Sequence, residues 1–184
     1  MTATFLVARS ERTVFVRSTG LANMKNSPVL DVFLATEIDQ GATTICVDLS
    51  SCSGMDSTFM GLLVGYARQL DGAGGRLVVV NPSVGNMRLL VMLGVTLVVP
   101  VLENQPDPQV AYVTLASDPT MSPIQRIELV QRAHQNLLKL TKSNEAKFAA
   151  FLTALERDLA KIRAAAAAPK SAGDAPQQRP PKPG

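Results

Sequence analysis

An α/β domain is predicted, with a mixed, mainly parallel central sheet of about 4–5 strands flanked by helices, followed by a C-terminal helical extension. Three observations predict it. Runs rich in β-branched residues recur at Thr13 to Arg17, Thr43 to Leu49 and Arg76 to Val80. Helical patterns alternate with them, which requires crossover connections between strands. A separate set of helically spaced apolar residues begins only at Ile124.

Thr4 to Val7 and Thr13 to Arg17 read as an opening hairpin, turning near Ser10-Glu11. Ser27-Pro28 supplies an N-cap and a first-turn proline, and Val29, Val32, Phe33 and Ile38 follow at helical spacing before Gly41. Thr43 to Leu49 is a β-branched run, as expected of a strand covered by other elements, and Ser50 to Met55 is the loop after it. From Ser57 to Leu70, Phe59, Leu63, Tyr66, Ala67 and Leu70 share a helix face, while Gly61 and Gly65 are expected to allow close approach to the sheet. Arg76 to Val80 is a strand. Pro82-Ser83 opens a short helix with Val84, Met87, Leu90 and Val91 on one side, Gly94 closes it, and Thr96 to Val99 is the last strand.

The organisation that follows is a domain over 1–104, a linker over 105–122 with Ala111 to Leu115 as a candidate further strand, a helical extension over 123–166, and a disordered tail over 167–184. Within the extension, Ser122-Pro123 repeats the helix-start signal. Ile124, Ile127, Val130, Leu137 and Leu138 form one apolar set; Phe148, Phe151, Leu152, Leu155, Leu159 and Ile162 form a second in near-heptad rhythm. The polar stretch Thr141 to Glu145 between them fits either one long helix or a helical hairpin. The extension can pack on its own domain, pair with another copy or bind a different protein, and packing on its own domain is the favoured expectation.

Composition excludes several functions. An apolar share of 46% and a charged share of 18% over 184 residues are those of a folded globular chain. The net charge of +3 is carried by Arg163, Lys170, Arg179 and Lys182 against Asp174, so the basic excess lies on the tail and no nucleic-acid surface is expected. Cys46 and Cys52 lack the spacing and histidine partners of a zinc or redox site and read as reduced thiols. The longest apolar run, Leu89 to Leu102, is broken by Gly94, Thr96 and Pro100, so no membrane span is expected. Met1 to Arg9 carries no signal-peptide pattern, and a cytoplasmic location is expected.

The stretch that carries chemistry is Asp56-Ser57-Thr58, at a turn from strand to helix. Ser57 falls in the first helical turn, where backbone N–H groups are unpaired and the helix dipole is positive, which tolerates a phosphate. A nucleophilic role needs a base, and the only histidine, His134, lies 77 positions away and reads as a helix-surface or packing residue. On spacing alone the simplest account of Asp56-Ser57 is an ordinary N-cap pair.

At these residues the chain resembles the STAS domain family of anti-sigma factor antagonists and sulfate transporter tails. The resemblance lies in Ile45-Cys46-Val47-Asp48-Leu49-Ser50, Met55-Asp56-Ser57-Thr58-Phe59-Met60-Gly61, Gly74 to Val80, Asn81-Pro82-Ser83-Val84 and Leu89 to Gly94, and spans about Thr4 to Leu102. The resemblance implies that Ser57 is the phosphorylated residue and that Asp56, Ser57, Thr58, Phe59 and Met60 meet a partner. That partner is an anti-sigma factor with kinase activity, and a phosphatase resets the switch. The family's more usual sequence has glycine where this chain has Phe59. No cofactor is expected, because ATP belongs to the kinase and this chain has no P-loop. No enzyme activity is expected either. The alternative is an unphosphorylated STAS scaffold docking on a transporter ATPase, other STAS proteins or a stressosome-like complex.

Overall fold

The structure, a computed structural model, describes residues 4–116 and 121–167. The tail expected to be disordered therefore lies almost entirely outside the described residues.

The opening hairpin forms as expected and is longer than its β-rich core: β1 (Thr4–Ser10) and β2 (Thr13–Ala22) pair antiparallel. Glu11, at φ 53°, makes the turn. Helix α1 (Ser27–Asp39) leads to β3 (Thr44–Asp48), β4 (Cys52–Met55) and α2 (Ser57–Gly72). Then come β5 (Arg76–Val80), α3 (Val84–Met92), a 3-10 turn (Val95–Leu97), β6 (Val101–Leu102) and β7 (Val113–Thr114). The chain ends in α4 (Pro123–Leu138) and α5 (Lys142–Ala167).

The seven strands make one mixed sheet in the order β6-β5-β3-β2-β1-β7, with β4 continuing beside the far end of β2. All contacts of β2, β3, β5 and β6 with one another are parallel, while β1 is antiparallel to both neighbours. The register aligns Val14, Ile45 and Leu77 in one row and Val16, Val47 and Val79 in the next. All six are buried, because residues two apart on a strand point to the same face and this face lies against the helices. Phe59 of α2 stacks on Phe5 of β1 with ring centroids 6.1 Å apart, so the first turn of α2 is anchored on the sheet.

Four expectations are corrected. The stretch 50–55 contains β4, which forms because β2 outruns β3 and leaves backbone groups at Gly20 to Ala22 for a partner. Thr96 to Val99 is not a strand: Gly94 at φ 70° ends α3, and a 3-10 turn tucks Val95 and Val99 into the core. The strand starts beyond Pro100, at Val101. On α3, Val84 and Val91 point outward, while Asn86 and Leu90 point in; the Asn86 amide donates to the Cys52 carbonyl at 2.8 Å. Helix α1 is not capped by Ser27, whose hydroxyl donates instead to the Asn23 carbonyl.

The extension is a helical hairpin, and it packs on the domain. Ser122 and Gln125 close a reciprocal capping box at the start of α4. At the α4–α5 turn, buried Asn144 donates to the carbonyls of Leu93 and Leu137, tying the hairpin tip to the end of α3. Gly61 and Gly65 do permit close approach, but to α4 rather than to the sheet. A Cβ on Gly61 would lie 2.1 Å from the Ala133 carbonyl oxygen, and one on Gly65 would lie 2.5 Å from the Asn136 amide nitrogen. Alongside, Tyr66 of α2 donates to Asp31 of α1, whose other carboxylate oxygen accepts from Arg132 of α4 at 2.6 Å.

Candidate functional site

Asp56 is the N-cap of α2. Its backbone is extended, one carboxylate oxygen accepts from the Phe59 N–H at 2.9 Å, and the other accepts from the Met24 N–H at 2.8 Å. Both oxygens are thus used to fix the helix start and to hold the β2–α1 loop against it. Ser57 is the first residue of α2 and is half-buried. Thr58, Phe59 and Met60 follow as buried residues, at 3%, 0% and 2% exposure. Of the five residues read from the sequence, Asp56 and Ser57 alone reach the surface.

His134, expected to be a helix-surface or packing residue remote from Ser57, does pack in the interior but also meets the serine. Docking of α4 across α2 brings its Nε2 to 2.9 Å from the Ser57 Oγ. The other ring nitrogen, Nδ1, is 2.8 Å from the Val130 carbonyl, an acceptor only, so Nδ1 carries the proton. In the neutral ring Nε2 is then the acceptor, and the Ser57 hydroxyl donates to it. The ring is packed between Phe148 and Phe151 of α5, with centroids 5.0 and 4.7 Å away. Burial among these rings pushes the imidazole below its ordinary pKa, against the smaller upward pull of the Val130 carbonyl and of Asp56.

Chemically, this is a hydroxyl held by a neutral imidazole at a positive helix end. A backbone carbonyl orients the ring where a hydrolytic triad has a carboxylate, so an imidazolium formed there lacks a neighbouring negative charge in hydrogen-bond contact. Among the described residues no group of three or more His, Cys, Asp or Glu side chains is placed to hold a metal.

Ser57 opens on a cleft of about 750 Å3 between the start of α2, the β2–α1 loop and the α4–α5 hairpin. Its walls include Arg126, Val130 and His134 from α4, and Lys147, Phe151 and Leu155 from α5. Each set is spaced i, i+4, i+8, the signature of one helix face. That periodicity is visible in the sequence, but which face meets which turn depends on the docking of the hairpin.

A family model described as Mlab, STAS domain, matches residues 5–100, a span that ends before the hairpin. Among solved structures, the chain is similar to one described as an anti-sigma factor antagonist from Thermotoga maritima. The TM-score is 0.50 at 20% identity, covering 53% of this chain and 85% of that one. An anti-sigma factor antagonist from Mycobacterium paratuberculosis gives a TM-score of 0.50 at 20% identity, covering 55% and 86%. The anti-sigma factor antagonist SpoIIAA in its unphosphorylated form is 31% identical, covering 55% and 89%, with a TM-score of 0.47. No curated protein matches the chain. None of the described helices is long and apolar enough to cross a membrane.

Proposed function

The chain belongs to the STAS domain family, and from that membership we propose that it is an anti-sigma factor antagonist-like binding switch, controlled by phosphorylation of Ser57 by a partner kinase. The observation that carries the reading is the position of Ser57: half-buried, first in its helix, next to an N-cap carboxylate whose oxygens are already committed. In the unmodified state the Asp56-Ser57 turn docks on an anti-sigma factor with kinase activity, which then gives up its sigma factor and alters transcription. Thr58, Phe59 and Met60 are buried, Phe59 against Phe5 of β1, so the partner surface is narrower than the five residues expected and centres on Asp56 and Ser57.

Phosphorylation removes the hydroxyl that donates its hydrogen bond to His134 and adds about −1.5 to −2 charges beside Asp56. A partner that covers this turn must then desolvate the phosphate, so the complex separates, and a phosphatase restores it. Incubating the full chain with its cognate kinase and ATP, then mapping phosphate by mass spectrometry, is expected to place one phosphoryl group on Ser57. No phosphate there, together with unchanged kinase binding by Ser57→Asp, overturns the reading.

A second reading is supported by the hairpin itself. The Ser57 hydroxyl is already engaged by His134, as expected of an unphosphorylated scaffold subunit whose exposed faces bind a transporter ATPase or a stressosome-like assembly. Affinity purification separates the two: a kinase-fold partner supports the switch, a transporter ATPase or multimeric assembly the scaffold.

A further inference from the structure

We infer that the cleft beside Ser57 is a binding site for a single-chain anionic amphiphile, a molecule with one apolar tail and one carboxylate or similar acidic head. The inference is independent of the phosphorylation reading, since it concerns the unmodified chain alone.

The floor is apolar: Met24, Ile127, Val130, Phe148, Phe151 and Leu155 line the cleft. Phe151 is 42% exposed and Met24 54% exposed, although the same hairpin buries Phe148, Leu152 and Leu159 nearly completely. The hairpin therefore closes along most of its length and stands open beside Ser57. At about 750 Å3 the opening is of the size that takes a small organic ligand, about 300–1,000 Å3.

Cations outnumber acids around that floor by three to one. Lys25, Arg126 and Lys147 all line the cleft, and among the described residues none of them forms an ion pair. Asp56, the acid lining the same cleft, has both oxygens occupied by backbone N–H groups and makes no ion pair with them. A tail on the floor with its acidic head among the cations satisfies both halves of the site. A small inorganic anion leaves the apolar surface wet, and a neutral lipid leaves the cations unmatched.

The test uses the full chain and the fluorescence of 1-anilinonaphthalene-8-sulfonate, with dodecanoate as competitor below its micelle concentration. Dodecanoate is expected to displace the dye saturably at one site per chain, while acetate does not and decanol does so at least tenfold less well. Lys147→Glu and Phe151→Asp, at exposed positions and checked for native circular dichroism, are each expected to weaken dodecanoate at least tenfold. Absence of saturable displacement, equal displacement by decanol, or unchanged affinity in both variants overturns the proposal. So does a chain that sediments as a dimer dissociated by Phe151→Asp and insensitive to dodecanoate, which assigns the cleft to a second copy.

Discussion

The Ser57 hydroxyl and the His134 imidazole, 77 positions apart, meet at 2.9 Å because α4 crosses α2 where α2 has no side chain to hold it off. The contact joins the part of the chain that the family model covers to the part it does not. The state of the hydroxyl is thereby tied to the seating of the hairpin.

A negative charge at position 57 is expected to raise the pKa of His134. The unmodified ring sits below its ordinary value, about 6.5, through burial among phenylalanines. Ser57→Asp or the phosphorylated chain stabilises the imidazolium. The chain has one histidine, so a single imidazole resonance reports the titration by NMR. An identical titration in wild type and Ser57→Asp rules out the pairing.

Stability is expected to depend on pH through the same ring. A histidine whose folded pKa is depressed binds fewer protons folded than unfolded, so its contribution is complete above about 6.5 and is lost as pH falls through the lower folded value. Urea unfolding from pH 7.5 down to 5 should show a declining free energy, and the decline should be shallower in His134→Gln.

Gly61→Ala is expected to lift α4 from α2. The added carbon would lie 2.1 Å from a backbone oxygen, which no rotamer change relieves, and the cost is about 3 kcal/mol or more. Gly72→Ala, with nothing within 4 Å, should be neutral or stabilising by up to about 1 kcal/mol. Hydrogen exchange should show α4 and α5 losing protection in the first variant while β2, β3 and β5 keep theirs.

Asn144→Ala removes both donors to the carbonyls of Leu93 and Leu137 and leaves those oxygens buried, at a cost of about 2–3 kcal/mol. Thermal unfolding gives the loss, and limited proteolysis between Leu138 and Lys142 should accelerate. Resistance equal to wild type means that the tip is held by packing alone.

The parts of the fold legible in the sequence are those decided locally. β3 and β5 are runs rich in β-branched residues that suit a covered sheet, and α2 is announced by Asp56 and its apolar spacing. β4 was not legible, since Cys52-Ser53-Gly54-Met55 has little strand preference and pairs only because β2 offers an unmatched edge. Nor was the direction of α3, where a polar Asn86 outcompetes Val84 for the interior by reaching a carbonyl. The strand-to-helix turn at Asp56 and Ser57 is legible in the sequence, whereas the approach of His134 is not, because it follows from how two amphipathic helices cross. The small residues at the crossing, Gly61, Gly65 and Ala133, were the available clue to that crossing.

The bare ridge on α2 is also a seat with one condition of entry. Any larger residue at position 61 bars this chain from wearing α4 as a hood over the serine turn, so the shelter of the turn hangs on a single missing side chain.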